Sequence, residues 1–167
     1  HELYMFLLSL GNIFQVESII PNIIESGMFI SIAETIDFCC VDVYKLLRQM
    51  VRCSFNNLIL LLQNNLLEIL FSGIELDGSI FCSSLKCFSI ILSQKYEPEQ
   101  KDFLYYLIFS TNFLESLLNK IKTKEEIEKK VIDNFISFLF VFFKNAPDEK
   151  TRENLNEEKF HNFYNSF

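Results

Sequence analysis

One apolar spacing occurs four times along this chain and restricts the folds open to it. Apolar residues at i, i+4, i+7 and i+11 appear first as Leu3, Leu7, Leu10 and Phe14, and next as Cys40, Tyr44, Leu47 and Val51. They return as Phe81, Leu85, Phe88 and Leu92, and finally as Val131, Phe135, Phe138 and Phe142. Such a spacing aligns four side chains along one side of a helix three turns long. The stripes start at 3, 40, 81 and 131, which puts 37, 41 and 50 residues between them. Those intervals bracket the ~40–47-residue period of HEAT and armadillo repeats.

A second pattern interleaves with the first. Gly27-Met28-Phe29, Asn65-Leu66-Leu67 and Asn112-Phe113-Leu114 each set a turn-tolerant residue before an apolar pair. Further apolar pairs follow at the same offset (Ile32-Ala33, Leu70-Phe71, Leu117-Leu118), and then single residues Ile36, Ile74 and Ile121. These read as short helices, each preceding one of the long ones. Between them, Asp77-Gly78-Ser79 is suited to end one helix and cap the next, and Thr123-x-x-Glu126 has the form of a capping box. Glu97-Pro98-Glu99 opens another helix, since proline is tolerated in a first turn and acids there complement the dipole.

Composition agrees with an all-α chain. Half of the 167 residues are apolar, enough for a substantial core, whereas 4 Gly and 3 Pro are too few for the frequent turns of an all-β sandwich. The formal charge of −7, with no isolated basic cluster, argues against a nucleic-acid partner. The longest apolar run, Phe135 to Phe143, covers about half of the ~20 residues a membrane span needs. Leu3 to Leu10 lacks the preceding basic region of a signal peptide, with Glu2 in its place. His1 stands where an initiator Met is expected, so the chain is expected to be part of a longer one.

Catalytic chemistry finds little to use. The histidines, His1 and His161, are near opposite ends of the chain, and the 5 cysteines follow no zinc-binding spacing. An odd count, with Cys39 and Cys40 adjacent in an apolar stretch, reads as reduced, packed thiols of a cytoplasmic or nuclear protein. Glu125-Glu126 and Glu157-Glu158 read as solvated surface. Nine of the 19 Phe lie on the two repeated patterns and are expected in the core. Phe160, Phe163, Tyr164 and Phe167 are different, because they mark one helical face of a polar, acidic tail suited to capping the last repeat or docking on a partner.

The phrase Phe6-Leu-Leu-Ser-Leu-Gly-Asn-Ile-Phe14, followed by Ile23-Ile-Glu-Ser-Gly-Met-Phe29, resembles the junction between two armadillo repeats. Within that family, Leu10-Gly11-Asn12-Ile13 is most similar to the importin-alpha adaptors, which carry nuclear localisation signals, and the likeness covers most of Leu3 to Lys144. It implies a right-handed α-solenoid whose inner helices present a ladder of Asn residues, with Trp one turn earlier, to an extended peptide. The ladder place falls on Asn12, Gln49, Ile90 and Phe140, and the place one turn earlier on Leu8, Lys45, Lys86 and Ile136. Asn12 matches and Gln49 is chemically akin, but the chain has no Trp, and two lysines in the row would repel a basic signal. The likeness thus points to the C-terminal repeats of such an adaptor, or to another armadillo scaffold serving cytoskeletal, trafficking or regulatory assemblies.

The resulting expectation is an armadillo-like repeat solenoid over residues 1–144 and an acidic, partly helical tail over 145–167. It would be a protein- or peptide-binding module in transport or scaffolding, not an enzyme, with no cofactor and no membrane span. Asn12, Lys45, Gln49 and Lys86 would line the peptide groove. If the stripes form the core, Phe88→Ala, at the centre of one, is expected to destabilise the protein by about 3–5 kcal/mol in chemical denaturation. A change indistinguishable from zero would place Phe88 outside the core.

Overall fold

The structure is a computed structural model and describes residues 16–34, 36–76, 78–109, 113–122 and 128–146. All regular structure among the described residues is helical. A 3-10 turn at Val16–Ser18 is followed by α1 (Ile20–Glu25), α2 (Met28–Glu34), α3 (Ile36–Met50), α4 (Phe55–Gln63) and α5 (Leu66–Glu75). The chain continues as α6 (Gly78–Ser93), α7 (Pro98–Phe109), α8 (Phe113–Lys122) and α9 (Lys129–Asn145). The order is two shorter helices and then a long one, three times over, the long members being α3, α6 and α9 with 15, 16 and 17 residues. An all-α class is therefore what this sequence adopts.

Each described stripe falls on one of those long helices. Tyr44, Leu47 and Val51 on or just beyond α3 are buried, as are Phe81, Leu85, Phe88 and Leu92 on α6. On α9, Val131, Phe138 and Phe142 are buried and Phe135 is half-buried. The first stripe, from Leu3 to Phe14, lies outside the described residues, as do the Thr123 to Glu126 box and the tail from residue 147. The helix this box was expected to open begins at Lys129, with Glu128 in the N-cap position.

The breaks between first and second helices also coincide with the pattern. Gly27, just before α2, has φ 70°, and Asn65, just before α5, has φ 69°. Glycine has no side chain to clash in this left-handed region, and asparagine tolerates it better than most residues. Between α4 and α5 the chain turns by 71°. Taken as one piece, these two helices would have the length and composition of a bilayer span. No single described helix is long and apolar enough to cross one, and Leu58, Leu61, Leu66 and Leu70 are all buried in the core.

The chain divides into two compact units, residues 1–91 and 92–167. In the first, α1 packs on α4, so the leading helices of successive triads touch. Glu17 fixes the start of α4 from outside: its carboxylate accepts the Ser54 N–H at 3.2 Å, and its carbonyl accepts the buried Asn57 side-chain amide at 2.8 Å. Phe71 on α5 stacks on Phe88 of α6 with ring centroids 5.7 Å apart.

The centre of this unit is α5, held from both sides by buried hydroxyls. Tyr44 on α3 donates to the Ile69 carbonyl at 2.5 Å, and Ser84 on α6 donates to the Leu70 carbonyl. A carbonyl has two lone pairs, so an interior helix carbonyl can accept such a bond in addition to its helical one. Tyr44 comes this close only because residue 73 is glycine. A Cβ there would lie 2.6 Å from two ring carbons of Tyr44, far inside van der Waals contact.

In the second unit, Tyr105 on α7 donates to the Phe142 carbonyl at 2.6 Å. That carbonyl is among the last four of α9, where no regular helical partner remains. The rings of Tyr105 and Phe142 lie 5.2 Å apart, Phe113 on α8 meets Phe138 edge-on at 5.7 Å, and Phe138 and Phe142 are 5.8 Å apart. One aromatic cluster thus joins the three helices. At the start of α7, Gln100 Oε1 accepts the Glu97 N–H at 3.1 Å, half of a capping box around Pro98.

Gly73→Ala should raise the helix propensity of α5 by about 1 kcal/mol and still destabilise the protein by about 1–3 kcal/mol, because Tyr44 must be displaced. In a Tyr44→Leu background the same change should be neutral or stabilising. Additive effects of the two substitutions in urea denaturation would show that the two residues are not interlocked.

A candidate protein-binding row

The ladder positions expected to face a partner fall on the long helices, and their outward sides differ in chemistry. On α3, Lys45 is exposed and its Nζ pairs with Asp42 Oδ1 at 2.9 Å, while Gln49 is half-buried. On α6, Lys86 is exposed and Ile90 half-buried. On α9, Ile136 and Phe140 are both exposed. Asn12 and Leu8 lie outside the described residues.

Two further cations belong to the α3 surface and are missed by the ladder register. Arg48 lies three residues beyond Lys45 and is half-buried, with its Nε enclosed and without a hydrogen-bond partner. Arg52, seven residues beyond Lys45, is exposed. Arg48 shares a helical side with Lys45, which is the signal that could have identified it, whereas Arg52 follows the end of α3. Arg48 also acts on α6: its positive charge pulls the Cys87 thiol downward against the larger upward push of burial. Arg48 is thus close enough to the buried Cys87 of α6 to be felt there, whereas Lys86, next in sequence, is exposed.

An exposed i,i+3 pair such as Lys45–Asp42 contributes about 0.3–0.5 kcal/mol and is readily exchanged for another carboxylate. Lys45 can therefore turn to an acidic partner at little cost. The Nε of Arg48 is enclosed and not open to an outside ligand, so only the rest of its guanidinium could reach a carboxylate. Lys45, Arg52 and Lys86 are the exposed cations of these segments.

The thiols have a different character. Cys53, Cys82 and Cys87 are buried. Burial pushes Cys53 up to about 12, with help from the negative charge of Glu17, and pushes Cys87 up to about 12 as well. A thiolate at neutral pH is thereby suppressed, and with it nucleophilic or metal-binding chemistry. Burial also moves Tyr105 upward from its ordinary value. Among the described residues no group of three or more His, Cys, Asp or Glu could hold a metal. Cys39 and Cys40 lie within α3, and the two histidines lie outside the described residues.

Compared with known family models, curated protein sequences and solved structures, the chain has no match.

The raised thiols set the sign of the response to alkali. A folded value near 12 against an ordinary 9.0 means that above pH 9 the unfolded chain loses protons that the native state keeps. This contribution to stability is complete below pH 9 and declines as pH rises from there toward 12. Urea midpoints are expected to be flat from pH 7 to 8.5 and to fall beyond. Site-resolved alkylation at pH 8 should leave Cys53 and Cys87 unmodified in the native protein and modify both in urea. Rapid native labelling of either would contradict their burial.

Proposed function

We propose that this chain is a segment of a right-handed armadillo-type α-solenoid and acts as a protein- or peptide-binding adaptor in the cytoplasm or nucleus, not as an enzyme. The observation that carries this reading is the triple recurrence of two shorter helices and a long one. The same left-handed break occurs at Gly27 and Asn65 in the first two triads. Contact between α1 and α4, the leading helices of consecutive triads, is what nearest-neighbour stacking requires.

In this reading the ligand is an extended chain. Its backbone is held by Asn12 and Gln49, and its acidic side chains meet Lys45, Arg48, Arg52 and Lys86. Each polar contact adds about 0.5–1.5 kcal/mol net, so affinity comes from several contacts together. The cationic row favours a scaffold for acidic segments over a receptor for basic nuclear localisation signals. The importin-alpha likeness rests on Leu10 to Ile13, and its narrower form is a transport adaptor that receives acidic cargo or receptor segments.

Fluorescence anisotropy with labelled extended peptides, one acidic and one of the basic signal type, tests both forms on the full chain. The acidic peptide should bind preferentially and weaken as salt rises. Gln49→Ala should weaken it about two- to tenfold, matching one hydrogen bond, and Lys45→Glu with Lys86→Glu should reverse the charge preference. A parent chain that prefers the basic peptide, or an acidic-peptide preference that survives the double reversal, would sink the acidic-ligand reading.

A further inference from the structure

Helix α9 has two apolar faces, and the fold uses one. Val131, Phe138 and Phe142 point into the core, while Ile132, Ile136, Phe140 and Phe143 are 38%, 58%, 66% and 67% exposed. At 3.6 residues per turn the exposed four form a single line, roughly a third of a turn from the buried face. The rings at its end are held by α9 itself. Lys144 Nζ is 5.8 Å from the centroid of the Phe140 ring, and Phe143 meets Phe142 edge-on at 5.5 Å.

The same line on the other long helices is polar or mixed. Counted from each stripe, the positions are Val41, Lys45, half-buried Gln49 and Arg52 on and just after α3, and buried Cys82, Lys86, half-buried Ile90 and Ser93 on α6. Only on α9 are all four large and apolar. An exposed patch of this kind marks an interaction site on a globular chain.

The sequence supplies a fitting partner close by. Phe160, Phe163, Tyr164 and Phe167 are spaced as one helical face, and the stretch from 147 to 159 that joins them to α9 is polar apart from Pro147 and Leu155. Thirteen residues reach up to about 43 Å when extended, whereas the line from Ile132 to Phe143 is about 17 Å long. The connection is long enough to return along α9 in either direction. Glu157 and Glu158 just precede Phe160, and Lys129 and Lys144 stand at the two ends of the α9 line. Four aromatic rings against two isoleucines and two phenylalanines is the composition of a helix-in-groove contact.

We propose that the outward face of α9, formed by Ile132, Ile136, Phe140 and Phe143, is the docking site of this chain's own segment 160–167. The contact is intramolecular and independent of how the triads stack. It covers the apolar row of the third triad, so an outside ligand must displace it there, while the cationic row of α3 and α6 stays accessible.

Hydrogen exchange of the full chain, resolved to the peptide spanning 160–167, tests the assignment. The segment should exchange at least tenfold more slowly than a free peptide of that sequence. Ile136→Asp with Phe140→Asp should abolish the protection while the urea midpoint of the core stays within error of the parent. Phe163→Ser with Tyr164→Ser, which leaves α9 unaltered, should abolish it too and raise binding of a hydrophobic dye. Three results would overturn the proposal: unprotected amides in the parent, protection that persists in both double variants, or a concentration-dependent dimer that only the α9 variant dissolves. The last would assign the face to a second copy of the chain.

Discussion

The contact of Tyr44 with the α5 backbone at Gly73 is the constraint on which the first unit depends. A phenol ring is wide, and it reaches the Ile69 carbonyl only because a helix residue one turn along, Gly73, lacks a side chain. Glycine in a helix interior costs about 1 kcal/mol relative to alanine. That cost is offset by a buried hydroxyl with its partner and by a ring that fills the space against α5. Moved by one residue along α3, Tyr44 would present its hydroxyl elsewhere, and a buried donor without an acceptor costs about 1–3 kcal/mol. Apolar stripes alone tolerate sliding, whereas this pair fixes which turn of α3 meets which turn of α5. Ser84 fixes α6 on the next carbonyl, Leu70, so one short helix sets the position of both long ones.

Much of this architecture was legible in the residues, and the reason is periodicity. Apolar spacing reports which side of a helix is buried, because burial of a large apolar side chain contributes about 1.5–3 kcal/mol. Positions such as Leu85 and Phe138 had no alternative. The breaks at Gly27 and Asn65 were legible too, as few residues accept a left-handed backbone. What could not be read were contacts made by single polar atoms between distant elements. Glu17 closing the start of α4 and Tyr105 completing the last turn of α9 each depend on where two helices meet, and no local spacing encodes that. Nor does local spacing encode the need for glycine at position 73, which its neighbour in space, Tyr44, explains.

The site was legible to a lesser degree, and charge is the reason. A lysine is almost never fully buried without a partner, so Lys45 and Lys86 had to lie at the surface. Exposure does not say what a lysine is doing, however, and the Asp42 pair was hidden in an i,i+3 spacing that many solvated helices share. The ladder register took two fixed places per repeat and so passed over Arg48, which shares the side of Lys45, and Arg52, which follows the end of α3. Their importance came from the enclosed Nε of Arg48 and from its effect on Cys87, both of which need α3 and α6 in place.

Core and surface are under separate physical control in these helices. The inward stripes of α3, α6 and α9 must be apolar, since each completes a packed interior in which even one lost methylene is felt. No such demand acts on the outward lines. There, charge on α3, a mixture on α6 and an unbroken apolar row on α9 leave the fold alike. An outward line can therefore be rewritten for a new partner at little cost in stability, as most surface changes are worth within about 0.5 kcal/mol. A wholly apolar line is the exception that calls for cover, because exposed apolar surface gains by leaving water whether the covering surface is its own chain or another. Outward chemistry is what most distinguishes α9 from α3 and α6, and it is carried by residues that the core does not need.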